Sequence, residues 1–188
     1  MLKIVATLLL LLGCAAVRAQ ERRVEVQAGP IAVDFSLPPG FERMSDAEVA
    51  AQFTRGVAPA AVFREPTREL RVTVSVFDAL GQGIEKVPAL KKRLESDVAA
   101  AHPTAKWLSR DIVRLGGEKW VRLRYRATAG SGEVVSETYA ILWAGEAVVV
   151  NFYGPAAEYE GQSAAFRKSA ESIKLSVMII APAGSTQP

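Results

Sequence analysis

Residues 118–154 read EKWVRLRYRATAGSGEVVSETYAILWAGEAVVVNFYG. The stretch parses as three consecutive antiparallel strands, over 120–127, 134–143 and 147–153, joined by two short breaks at Gly130-Ser131-Gly132 and Ala144-Gly145-Glu146. In the first strand Val121, Leu123 and Tyr125 alternate with Arg122, Arg124 and Arg126. A period of two sends one set to a buried face and the other to water. The last strand is apolar at almost every position from Val148 to Tyr153, the pattern of a strand covered on both sides. A sheet of this kind needs amphipathic helices against its apolar surface, and the chain supplies them on either side.

Moving outward toward the N-terminus, residues 106–115 form one more strand, closed by the Gly116-Gly117 turn. Before it, Val87, Leu90, Leu94 and Val98 recur at helical spacing, with Lys91, Lys92, Arg93, Glu95 and Asp97 between them. That stripe predicts a helix from about Pro88 to Ala101, ended by His102-Pro103. Leu70, Val72, Val74 and Val76 alternate with Arg71, Thr73 and Ser75, so 70–77 pairs with 61–64 as a hairpin. Ser45-Asp46-Ala47-Glu48 is a capping box that opens a short helix anchored by Val49 and Phe53, with Gly56 as its stop. Pro38-Pro39-Gly40 excludes regular structure, and residues 22–27 and 31–36 alternate as an N-terminal hairpin around Gly29-Pro30. Toward the C-terminus, Phe166, Ala170 and Ile173 mark a helix over 159–173. Residues 174–180 read as a final extended piece, and 177–188, rich in Ala, Pro and Gly, run out as a tail. The class is α+β: a single antiparallel sheet with helices packed on its faces, an α-β-α sandwich.

The 188 residues suffice for one domain, and 49% hydrophobic with 23% charged side chains describes a globular chain. Residues 1–19 read as a signal peptide: Lys3 supplies the positive start, and 4–12 are nine apolar residues, well short of the ~20 that span a bilayer. Two processing sites compete. Val17-Arg18-Ala19 suits cleavage before Gln20, and Leu11-Leu12-Gly13-Cys14 resembles a lipobox that would make a lipidated Cys14 the first residue. Either exports the protein, to the periplasm or the exterior, or tethered to the envelope by Cys14. The domain then spans 20–176. Removing 1–19 takes away Lys3 and Arg18 and leaves 21 basic against 20 acidic side chains. Such a balance gives no basic face for nucleic acid.

No motif for catalysis stands out. His102 is the only histidine and Cys14 the only cysteine, which argues against a zinc site. His102 at a helix end suits the helix dipole without further role. Gly130-Ser131-Gly132 sits between strands, the wrong context for a nucleophile elbow. Gly81-Gln82-Gly83 is too isolated to bind a dinucleotide. Arg122, Arg124 and Arg126 are the most distinctive polar feature: either a strip for an anion or partner, or a strand face answered by Glu133 or Glu137. Trp107, Trp120, Trp143, Tyr125, Tyr139, Phe152 and Tyr153 either fill the core or line a pocket. Asp78, Asp111, Glu118 and Glu137 are the carboxylates that an acid–base mechanism would need to draw on.

The order of elements resembles the PsbP-like superfamily, which includes DcrB-like exported bacterial domains. The resemblance covers residues 31–175. It rests on Phe35-Ser36-Leu37-Pro38-Pro39-Gly40-Phe41, similar to that group's F-x-x-P-x-x-(F/W) opening, and on residues 166–175, FRKSAESIKL, similar to its terminal helix and closing motif. It implies the fold and an accessory or binding role, with no catalytic residue, cofactor or metal. The expectation is an exported cell-envelope accessory protein without enzymatic activity, meeting an envelope protein partner and no nucleic acid, and reaching the membrane only through Cys14. The alternative is a periplasmic small-molecule carrier with an aromatic cavity between sheet and helix.

Overall fold

A computed structural model describes residues 22–54, 57–130 and 132–178. The signal segment with Cys14, the Gly56 helix stop, Ser131 and residues 179–188 of the tail lie outside the described residues. Ten strands and three helices follow in the order β1 (Arg22–Ala28), β2 (Ile31–Leu37), β3 (Glu42–Arg43), α1 (Asp46–Gln52), β4 (Ala61–Glu65), β5 (Leu70–Asp78), α2 (Val87–Ala101), β6 (Lys106–Leu115), β7 (Glu118–Ala129), β8 (Gly132–Trp143), β9 (Glu146–Pro155), α3 (Ala156–Glu171) and β10 (Lys174–Val177). The three strands of the decisive stretch are β7, β8 and β9.

The α+β class is observed, with antiparallel pairing throughout. The expected single sheet is two. Seven strands run in the order β3-β4-β5-β9-β8-β7-β6, and β1-β2-β10 form a separate small sheet. The N-terminal hairpin was legible, but its third strand comes from the far end of the chain. Val177, within the piece read as extended over 174–180, pairs with Ile31.

Elements pack on both faces of the large sheet. On one, Trp120, Tyr139, Ile141, Val148, Val150 and Phe152 meet α3 and the small sheet. On the other, Val121, Leu123, Ala140 and Ala147 meet Leu90 of α2. Of the α2 stripe only Leu90 is fully buried; Val87 and Leu94 are partly buried against the same cluster. α3 buries Tyr159, Phe166 and Ala170, and Phe166 stacks on Phe41, Phe152 and Tyr159 with ring centroids 5.8, 5.3 and 5.0 Å away. Full burial of each large side chain contributes roughly 1.5–3 kcal/mol, so this face docks α3. The two stretches that carry the family resemblance touch here: besides the Phe41–Phe166 contact, the Ser36 amide donates to Ser172 Oγ at 2.7 Å.

Candidate functional site

Sequence alternation puts Arg122, Arg124 and Arg126 on one face of β7. The structure corrects where that face points: it looks at α3, and the side chains of Arg122 and Arg124 are only 25% and 19% exposed. α3 packs on this face and covers the row. The register of β8 sets Glu137 opposite Arg124 and Tyr139 opposite Arg122. Glu137 Oε1 accepts from Arg122 Nε at 2.7 Å and from the Tyr139 hydroxyl at 2.9 Å. Glu137 Oε2 accepts from the Tyr159 hydroxyl of α3 at 2.7 Å and has Arg124 Nε at 3.9 Å. Glu160, one residue on, accepts from Arg124 at 2.9 Å and from Arg126 at 3.0 Å, and Glu133 takes Arg126 at 3.2 Å. The Arg124 guanidinium also lies 5.4 Å from the centre of the Tyr159 ring.

Burial by itself pushes the Glu137 carboxyl up, but the hydrogen bonds from Tyr159, Arg122 and Tyr139, with the Arg122 charge, outweigh it and hold the group below its ordinary value of 4.5. Burial, with the Glu137 charge next, pushes both tyrosine hydroxyls up, so both stay protonated donors. The result is a buried network in which Arg124 Nε and Arg126 Nε are left without an acceptor. Its carboxylate stays ionised, each oxygen holds strong donors, and the nearest acids are phenols that do not release protons near neutrality. Such a group ties β7 and β8 to α3.

The other carboxylates are not brought to it as a catalytic set. Asp78 caps its own loop, accepting from the Gly81 amide at 2.7 Å. Asp111 stands across β6 from Arg122 and accepts from Ser109 at 2.8 Å. Glu118 is exposed at the start of β7. His102 ends α2 with its ring 5.6 Å from Tyr125, and Trp107 meets the same ring edge-on at 5.6 Å. Gly130 and Gly132 flank the β7–β8 turn, and Gly81 and Gly83 lie in the loop before α2. Among the described residues no three His, Cys, Asp or Glu side chains gather to hold a metal. No helix among them is long and apolar enough to cross a membrane.

The aromatic residues divide. Tyr139 and Phe152 are core. Trp120 and Trp143 border a cleft of about 400 Å³, walled also by Leu115, Ile141, Ile173 and Leu175. Tyr159 and Glu160 were missed as site residues by sequence reasoning. The signal was present: Tyr159 precedes Phe166 and Ala170 by two and three helical turns, on the same stripe.

No family model matches the sequence, and no curated protein is significantly similar to it. Solved structures are similar. Cyanobacterial PsbP (CyanoP) from Synechocystis sp. PCC 6803 superposes with a TM-score of 0.61 at 16% identity, over 88% of this chain and 99% of that one. The chain has the PsbP-like fold. The Saccharomyces cerevisiae Ran-binding protein Mog1p matches with a TM-score of 0.53 at 16% identity, over 83% of this chain and 95% of that one. LpqN, involved in cell envelope biogenesis of Mycobacterium tuberculosis, matches with a TM-score of 0.53 at 12% identity, over 84% and 92%. Each PsbP-like structure spans nearly its whole length on this chain, so the shared unit is the entire fold rather than one motif.

Proposed function

We propose that this protein is an exported accessory protein of the cell envelope, which acts by binding a protein partner and carries out no reaction. The observation that carries this reading is the state of Glu137. This carboxylate, 5% exposed, accepts hydrogen bonds from two tyrosines and an arginine of the chain itself. The polar centre of the molecule is therefore committed to holding α3. Support comes from the shared fold, which serves Ran binding in Mog1p and cell envelope biogenesis in LpqN. It comes also from residues 1–19, which read as an export signal. Cross-linking in intact cells, followed by fractionation, tests it. One discrete adduct in the envelope fraction is expected; a protein found in the cytosol, or cross-linked to nothing, would overturn it.

A second reading rests on the cleft beside Trp120 and Trp143. Its volume of about 400 Å³ falls within the range of pockets that hold small ligands. A carrier would shift in tryptophan fluorescence as its ligand is extracted, and Trp143→Phe would remove most of that shift.

A further inference from the structure

The face of the large sheet opposite α3 has an uncovered floor. α1 packs on Val62 of β4 at one side of it, and α2 packs over β7 and β8 at the other. Between them lie β5 and β9. Their register sets Arg71 opposite Tyr153 and Thr73 opposite Asn151, all four side chains on this face. The tile they make is one strand spacing wide and one side-chain repeat long, roughly 5 by 7 Å.

Its electrostatics are unbalanced. Arg64 of β4 stands directly opposite Arg71, and like charges so placed repel. Arg64 is answered by Glu42 at 3.3 Å and Glu48 at 2.9 Å. Arg71 has no carboxylate partner among the described residues. Its Nη1 donates to the Tyr153 hydroxyl at 3.2 Å, and its guanidinium carbon lies 5.8 Å from the Tyr153 ring centre. A guanidinium has five N–H donors, so most of this half-buried one's capacity is unused.

Its neighbours are also donors. The Asn151 carboxamide oxygen accepts from Ser136 at 2.8 Å and Thr138 at 3.0 Å. That leaves both hydrogens of the amide nitrogen over. Thr73, 8% exposed, has a hydroxyl with no partner among the described residues. The Tyr153 hydroxyl, having accepted from Arg71, keeps its own proton to give. One cation and three neutral donors therefore share a surface with no acceptor assigned to them.

We propose that Arg71, Tyr153, Asn151 and Thr73 form an oxyanion-binding site, which takes the carboxylate or phosphate of a polar ligand. The guanidinium fork matches either group in a two-point contact. The bound charge relieves the Arg64–Arg71 repulsion as well. This assignment is independent of the envelope-partner reading and of the tryptophan cleft, which lies against the opposite face of the sheet.

The test uses three probes with one sugar body: glucuronate, glucose 1-phosphate and uncharged glucose. Each is titrated into the folded protein while the Asn151 side-chain amide and the Arg71 Nε–H are followed by NMR. At least one anion is expected to bind ten-fold or more tightly than glucose and to move both signals. Whichever anion binds more tightly identifies the source as carboxylate or phosphate. Arg71→Gln is expected to weaken that binding at least ten-fold. The same variant should melt no lower than the wild type without ligand, because it removes a like-charge pair; a purely structural Arg71 would lower the melting temperature. The proposal fails if neither anion moves these signals in the roughly ten-millimolar range. It fails equally if Arg71→Gln binds as well as wild type, or if sodium chloride produces the same shifts.

Discussion

Replacing Glu137 with Gln keeps its shape and removes its charge, and Arg122 is then left half-buried without its nearest anion. Breaking a buried pair from one side costs about 3–5 kcal/mol. Urea unfolding of Glu137→Gln should show a loss of that size; a loss below about 1 kcal/mol would mean that the network does not hold α3. The pH dependence has a definite sign. The folded carboxyl titrates below its ordinary 4.5, so its contribution is complete above that value and is lost as pH falls through the lower, folded one. The two tyrosines are raised above their ordinary 10.0. Their contribution is present below pH 10 and fades as pH rises toward their folded values. Wild type should therefore hold a stability plateau between those limits, and Glu137→Gln should flatten its acid edge. The arginine row itself was legible from alternation alone, down to its answering residues Glu133 and Glu137. Its third answering residue, Glu160, was not, because which helix lies over a strand is decided by packing across the whole chain.

At the scale of elements, local chemistry was decisive wherever it was strong. The Ser45 capping box forms as read: the Glu48 amide donates to Ser45 Oγ at 3.3 Å and the Ser45 amide to Glu48 Oε2 at 2.9 Å. Ser45→Ala should cost about 0.5–2 kcal/mol in chemical denaturation; no measurable change would mean that α1 adds nothing to the cooperative unit. The β8–β9 turn was read as three residues and is two, Ala144 and Gly145, with φ of 51° and 88°. A two-residue hairpin turn of type I′ has positive φ at both positions, which matches the strand twist, and an alanine there is strained by roughly 1–2 kcal/mol. Ala144→Gly should raise the unfolding free energy by up to about 1 kcal/mol, read as a higher urea midpoint at unchanged slope. A lower midpoint would show that the turn tolerates alanine. What no local pattern could disclose is the partner of β10, although 174–180 was read as extended. Lys174 to Val177 is four residues with modest alternation, and its partner β2 lies some 140 residues earlier in the chain. The helix stripe, the cap and the period of two all act within a few residues; this pairing does not.

At the scale of the whole molecule, two sheets and three helices place the polar groups in three settings. The arginine row is closed under α3. The tryptophan cleft opens at the start of β7 and the end of β8. The Arg71 tile lies between α1 and α2. The first was read from sequence as a row of charges with Glu133 or Glu137 to answer it, and the second as aromatics that fill the core or line a pocket; the helix over the row and the Arg71 tile were not. The two motif stretches, by contrast, predicted the fold because they pack on each other, Phe41 against Phe166. The reading proposed for a molecule so arranged is that of a partner-binding protein. Native mass spectrometry of the protein purified gently from its own cell envelope tests this most directly. The account predicts a stoichiometric complex with one polypeptide partner. A bare monomer, released from the envelope with nothing bound, would contradict it.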